Sequence, residues 1–488
     1  MPLQVEEIQG IILRGYGGLN NARFLMLAIE DVALAKSWLK GLELRNSQKK
    51  PEIPETCTNI AFTAAGLERL GLPEDQRDMM AREFREGMTG IVNPRDIPEM
   101  NYRRRALGDH GESSPDHWRW GGPKNDPIHV LLMLYAEDEP AVQALMARQL
   151  PSPAAAGLRR VIEPLESLTL KDRKEHFGFR DGISQPFVEG FENNTSPGNT
   201  VAAGEFLLGY ENAYGQFTDR PTLKPEADPQ NLLPPAPDDP TLRDLGKNGS
   251  YLVFRQLKQD VHGFWSSLSE KAPGLLPGDP VESCVALASK MVGRWPSGAP
   301  LVNAPTADNP DLLDDNDFMY FGSGDADGLK CPIGSHIRRS NPRDSLDPHP
   351  GSDRSIEVGN HHRIIRRGRA YGAPVAKSMK APDIIGKPDD HEDRGLHFIC
   401  FNTQIGRQFE FIQHAWMNSP KFDGLYEDDD PIVGDRGDPY GLPGGTFTVQ
   451  QEPLRKRVTG LPRFVTVVGG GYFFMPGISA VRYLASLK

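Results

Sequence analysis

The hydrophobic positions of this chain fall into short continuous runs separated by stretches of helical period. Phe24-Leu25-Met26-Leu27-Ala28-Ile29 and His129-Val130-Leu131-Leu132-Met133-Leu134-Tyr135 are apolar at strand length, the pattern of buried strands, and Asn59-Ile60-Ala61-Phe62 is a shorter run of the same kind. Between them the spacing lengthens. Asp31 can cap a helix running to about Leu42, with Val32, Leu34, Ala35, Trp38 and Leu39 at helical intervals. Thr63 starts a second helix over 64–70, stopped by Gly71 and Pro73, and a third runs over 139–150. Ile8-Gln9-Gly10-Ile11-Ile12-Leu13-Arg14-Gly15-Tyr16 is a short, apolar, glycine-bounded lead-in.

The second half adds strands at Ser250-Tyr251-Leu252-Val253-Phe254-Arg255, His397-Phe398-Ile399-Cys400-Phe401 and Phe464-Val465-Thr466-Val467-Val468. The order strand, helix, strand, strand, helix, strand can be traced loosely through both halves. That order predicts an α+β fold with antiparallel sheets. A doubly wound parallel sheet would also alternate strand and helix, but no glycine-rich phosphate loop follows any strand. From residue 212 to 249 seven prolines punctuate a polar, acidic stretch with little apolar periodicity. The expected organisation is therefore a domain over 1–211, a connecting loop over 212–249, and a second domain over 250–488.

Composition narrows the function classes. The chain has 488 residues with 50 glycines and 43 prolines, which implies many loops, and a net charge of −11. That charge argues against a nucleic-acid or anionic-membrane partner, because both need a basic footprint. Four widely spaced cysteines form no CxxC pair, which excludes a zinc ribbon and covalent c-type haem attachment. Reduced thiols, no signal-like N-terminus and no apolar run of membrane-spanning length predict a cytoplasmic, soluble protein, a monomer or small homo-oligomer.

Three stretches carry candidate chemistry. Gly178-Phe179-Arg180-Asp181-Gly182 sets a carboxylate between glycines, which permit sharp turns and close approach of backbone to a ligand. Lys330-Cys331-Pro332-Ile333-Gly334-Ser335-His336-Ile337-Arg338-Arg339 and His362-Arg363-Ile364-Ile365-Arg366-Arg367-Gly368-Arg369 each set histidine beside arginines. Imidazole can ligate a metal, and guanidinium groups pair bidentately with carboxylates. Alone, each stretch also fits an ordinary polar turn or a solvated surface.

Together, and in this order, the three stretches resemble the dye-decolorizing peroxidases. The resemblance runs nearly end to end. It includes Ile8-Gln9-Gly10, Leu107-Gly108-Asp109, Met291-Val292-Gly293-Arg294-Trp295, Arg407-Gln408-Phe409-Glu410-Phe411 and Gly471-Tyr472-Phe473-Phe474-Met475-Pro476-Gly477. The length and long loops look like the larger bacterial, C-type subgroup. The resemblance implies two ferredoxin-like domains and a haem b peroxidase, with haem held mainly by the second domain. The resemblance also implies hydrogen peroxide and organic electron donors such as dyes and phenolics as its substrates. A haem-binding or haem-handling protein with little turnover is the alternative. His336 matches the proximal iron ligand, Asp181 the distal acid and base, and Arg366 the distal arginine. Gly182 lets backbone approach the haem face, and Arg338 and Arg339 are the candidates for the haem propionates. An acidic distal base predicts activity best at acidic pH, since reference carboxyl values lie near about 4.

Rivals and departures remain at this stage. His361, His362 and Cys331 are rival ligands, and His176 a rival distal group. Gln404 stands where relatives commonly carry an acid to accept the proximal histidine N–H, and whether another carboxylate, for example Glu410, takes over is not readable from the sequence. Arg369-Ala370 departs from an apolar-then-proline pair. Trp265, Trp295, Trp416, Tyr320 and Tyr472 are candidate radical sites, although each also fits core packing. Glu427-Asp428-Asp429-Asp430 reads as a solvated loop or, less readily, a manganese site.

Overall fold

The structure is a computed structural model that describes residues 2–49, 55–90, 101–191, 198–436 and 445–487. In the first half the strands are β1 (Asn21–Ile29), β2 (Thr56–Phe62), β3 (Val130–Ala136) and β4 (Leu165–Leu168). Helix α1 (Val32–Gly41) joins β1 to β2, and α2 (Glu139–Gln149) joins β3 to β4. The caps are those the sequence predicts. Asp31 accepts from Leu34 N, and Thr63 accepts from Gly66 N to start the short helix Ala64–Arg69. The lead-in forms a buried one-turn helix, Gly10–Arg14.

The second half repeats the plan with β5 (Ser250–Gln259), β6 (Ile365–Arg366), β7 (Arg369–Tyr371), β8 (Gly395–Asn402) and β9 (Val465–Met475). The strands lie side by side as β2-β3-β1-β4 and β9-β5-β8-β7, all antiparallel. Counting β6 and β7, which both pair with β8, as one interrupted strand, in each half the fourth strand lies beside the first, the first beside the third, and the third beside the second. This is the ferredoxin-like order, traced twice.

The two halves share one sheet. β2 bonds β9 through Phe62 and Phe474, and β4 bonds β7 through Leu168 and Ala370, so the strands close into a ring. Closure removes exposed edges and explains the continuous apolar runs. Successive residues on β1 face opposite sides: Phe24 and Met26 pack inside with Tyr135 and Phe254, while Leu25 and Leu27 pack outside under the helices. Both faces are buried, so neither reads as polar.

The proline-rich connection is packed rather than free. Arg220 is buried against Asp244 at 2.6 Å and also pairs with Asp238, while Leu233 and Leu245 enter the outer core. Among the described residues no helix is long and apolar enough to cross a membrane.

Candidate active site

A cavity of about 270 Å³ lies where the turn following β4 meets the second half. Asp181, Gly182, Glu175, Arg363, Arg366 and His336 all line it. Asp181 sits on the first half's turn, where Gly178 and Gly182 have φ of 94° and 81°, the left-handed region that favours glycine. Arg366 sits at the end of β6, held in register by Cys400 of β8. The two meet: Arg366 Nη1 donates to Asp181 Oδ1 at 3.1 Å, and Gly182 N–H donates to the same oxygen at 2.6 Å. Gln185, further along the turn, accepts the backbone N–H of Arg366 at 3.0 Å and ties the elements together.

His336 opens the short helix His336–Ser340, whose neighbours include the longer helix Pro280–Val292. Its Nδ1–H donates to Asp430 Oδ2 at 3.0 Å, which leaves Nε2 as the nitrogen with a lone pair. Asp430 is fully buried, and its other oxygen accepts Ile432 N–H at 2.9 Å and Val433 N–H at 2.8 Å. Burial pulls His336 down, but the Asp430 carboxylate outweighs it and raises the imidazole above its ordinary value. Burial pushes Asp430 up, yet His336 and the backbone donors hold it below the usual carboxylate range. The result is a basic imidazole fixed by an anionic acceptor.

No protein-family model matches the chain. Over 524 residues it is 31% identical to a dye-decolorizing peroxidase of Mycena epipterygia, an alignment covering 99% of this chain and 87% of the relative. The chain belongs to the dye-decolorizing peroxidases. A multifunctional dye peroxidase of Amycolatopsis is 30% identical over 499 residues, covering 98% of this chain and 96% of its own. The crystal structure of the Auricularia auricula-judae enzyme superposes with a TM-score of 0.76 at 26% identity over the full length of both chains. A dye-decolorizing peroxidase in complex with 2,6-dimethoxyphenol gives a TM-score of 0.75 at 26% identity, over 99% of this chain and 100% of that one.

As a haem peroxidase this protein needs a site for an anionic, iron-bearing ring, and the cavity fits one. His336 offers Nε2 from its wall. Arg363 lines the same wall, is 6% exposed, and forms no ion pair with a carboxylate among the described residues; its Nη2 donates to Asn199 Oδ1 at 2.8 Å. Burial, with the Arg343 and Arg366 guanidiniums nearby, pulls Arg363 down to about 9. A buried cation of that kind calls for an anionic ligand.

Arg338 and Arg339 are not the propionate partners expected. Both are fully buried and turned into the protein. Arg338 Nη1 donates to the carbonyls of Asp325 and Cys331 at 2.9 and 3.1 Å, and its guanidinium lies over the Tyr320 ring. Arg339 donates to the carbonyls of Gly334, Trp416, Ser419 and Asp428. They brace the loops around His336 instead.

The rival ligands fall away from the cavity too. His361 stacks on Tyr214 at 4.1 Å, and His362 stacks on Phe411 at 4.0 Å with Nδ1 against Arg407 O. His176 Nε2 bonds Tyr371 O at 2.8 Å. Burial pushes the Cys331 thiol up, so no thiolate is offered. Gln404 accepts from Arg407, and Glu410 accepts from Arg103 and Tyr472, both at 2.7 Å; neither replaces Asp430.

Of the acidic run only Glu427 is exposed. Asp428, Asp429 and Asp430 are buried, and among the described residues no cluster of three or more metal-ligating side chains forms. Arg369 finds its account in Tyr16 O at 2.8 Å and Thr169 Oγ1 at 2.8 Å, with its guanidinium over the Tyr135 ring. The candidate radical aromatics Trp265, Trp295, Trp416, Tyr320 and Tyr472 are all buried. Sequence reasoning missed Asp430, Arg363 and Glu175 as site residues. Only the first two left a trace in it, inside an acidic run and a basic cluster.

Proposed function

We propose that this peroxidase holds haem b on His336 Nε2, cleaves hydrogen peroxide with Asp181 and Arg366, and then oxidises phenolic and dye-like donors one electron at a time. One observation carries the reading: the Asp181–Arg366 pair and the ring of His336 share one cavity, and His336 is itself fixed by buried Asp430. When bound, the haem iron supplies the electrons for the cleavage. Heterolysis of peroxide needs one proton moved from the inner to the outer oxygen. Asp181 Oδ1 is already engaged by Gly182 and Arg366, so Oδ2 is the atom left to take the proton and return it. Arg366 stays cationic and stabilises charge on the departing oxygen. Arg363 would meet the carboxylates of the porphyrin. The phenol bound by a structural relative supports small phenolics as donors. Four buried cysteines outside any disulfide suit the reducing cytoplasm.

The test is an optical titration of the haem-loaded protein with hydrogen peroxide, followed by single-turnover kinetics. Parent enzyme should react rapidly and then oxidise a phenol, while Asp181→Asn slows the peroxide step by about 10²–10⁴-fold. An equal rate in Asp181→Asn and Arg366→Leu would remove the distal assignment. Haem uptake without any peroxide reaction would favour a haem-handling role.

A further inference from the structure

Glu175 stands just ahead of the distal turn and lines the same cavity as Asp181, yet the chemistry above makes no use of it. Its backbone N–H donates to Phe179 O at 2.9 Å, and Phe179 N–H donates back to Glu175 Oε1 at 2.9 Å. Glu175 Oε2 accepts Phe177 N–H at 2.9 Å and Gln259 Nε2–H at 2.6 Å. One carboxyl group thus closes the loop of backbone on which Arg180 and Asp181 are mounted. Gly178, inside that loop, has φ 94° and cannot hold the shape by itself.

The partner at the end of β5 is equally specific. Gln259 Oε1 is buried with no hydrogen-bond partner. Half a turn of the amide would exchange its oxygen and nitrogen, and that oxygen would then accept the proton of a neutral Glu175 carboxyl. The pair can therefore house either protonation state. Burial pushes Glu175 up against its three donors, and the Asp181 charge pushes it further, to about 7. The other titratable or charged groups lining the cavity are Arg180, Arg255, Arg294, Arg363, Arg366, Arg463 and His336, and Lys174 on its own segment bonds Met379 O.

We propose that Glu175 is a positioning residue for the peroxide step. It holds the Phe177–Phe179 backbone that aims Asp181, and its gain or loss of a proton, accommodated by Gln259, changes the charge felt at Asp181. The proposal rests on Asp181 being the distal acid and base.

The haem-loaded variants E175Q and Q259L are to be compared with parent enzyme in single-turnover reaction with peroxide across about pH 4 to 9. An amide at 175 offers one acceptor oxygen to two backbone donors, so E175Q should slow the peroxide step by about tenfold. It should also erase an inflection close to pH 7, with the KM for a phenolic donor unchanged. In Q259L the inflection should move to higher pH, because a donor to the ionised form is lost. Parent-like rate and pH profile in both variants, with only a lowered melting temperature, overturn the proposal. If E175Q does not fold, Q259L decides alone, since it leaves the turn's own hydrogen bonds in place. Failure of the distal assignment is distinguishable: D181N would then react at the parent rate, whereas failure of this proposal alone leaves D181N slow.

Discussion

Asp430→Asn should unsettle the iron ligand through its tautomer as much as its charge. Asp430 accepts three hydrogen bonds, from His336 Nδ1 at 3.0 Å and from the Ile432 and Val433 N–H groups at 2.9 and 2.8 Å. An asparagine has one acceptor oxygen and one donor nitrogen in that space. If the oxygen keeps the two backbone donors, the NH₂ faces Nδ1, and the imidazole must move its proton to Nε2. That removes the lone pair with which Nε2 would bind iron. If the oxygen keeps His336, two buried N–H groups face an NH₂ instead. Either way a charge-assisted hydrogen bond is lost, worth about 1.5–3 kcal/mol. Converted at about 1.4 kcal/mol per decade, the loss is roughly 10–150-fold in haem retention. It raises the ferric/ferrous potential by about 60–130 mV if the effect falls wholly on the ferric state. Spectroelectrochemical titration measures the potential, and haem transfer to an excess of a haem-scavenging protein measures retention. Parent values in both would refute the claim that Asp430 tunes the proximal ligand.

Other substitutions separate the remaining roles. Arg366→Leu should slow the peroxide step by about 10²–10³-fold while the ferric spectrum keeps its parent form, as stopped-flow absorbance would show. Arg363→Leu should leave peroxide chemistry intact in loaded protein but speed haem loss by about 10–100-fold, read by the same transfer assay; a parent rate of loss would count against Arg363 as a haem anchor. Burial depresses His397 to about 3 and His176 and His362 to about 4, so each is neutral in the fold. The stability they contribute is complete above the unfolded value near 6.5 and falls by about 1.4 kcal/mol per pH unit and per histidine below it. Melting temperature should therefore drop steeply between about pH 6 and 4, and His397→Asn should flatten the slope.

The elements legible in the sequence were those set by local physics. Asp31, Thr63 and the apolar runs of β1, β3 and β5 need only caps and side-chain period, and the structure places them as read. Asp181, Arg366 and His336 could be singled out because each stands in an unusual local pattern, and the structure brings all three to one cavity. What the sequence hid depends on distant chain. Arg338 and Arg339 beside a histidine suggest anion binding, yet their guanidiniums are consumed by carbonyls as far away as Asp428. Asp428, Asp429 and Asp430 read as a solvated loop because a run of acids is usually exposed. Here each has an internal partner: Asp430 takes His336, Asp429 takes Arg436, and Asp428 takes Thr448 N–H at 2.9 Å. Ring closure between the halves was hidden for the same reason, resting on single pairs such as Leu168 with Ala370.

The same burial that shapes the site limits the conditions in which it can work. A carboxylate that moves the peroxide proton favours acidic conditions, where reference carboxyl groups titrate near about 4. The fold pulls the other way, because His397 sits between Phe24, Phe254 and Tyr371, with Nδ1 on Ser167 Oγ at 2.5 Å, and the attraction of the Asp393 carboxylate does not offset its burial. Protonating it places a cation among aromatic rings at the closure of the barrel, on the strand that holds Arg366 in register. Acid loss of the barrel should therefore cut into the acid limb of activity. Short assays from a neutral stock should show activity at lower pH than assays after long incubation there, and His397→Asn should bring the two profiles together.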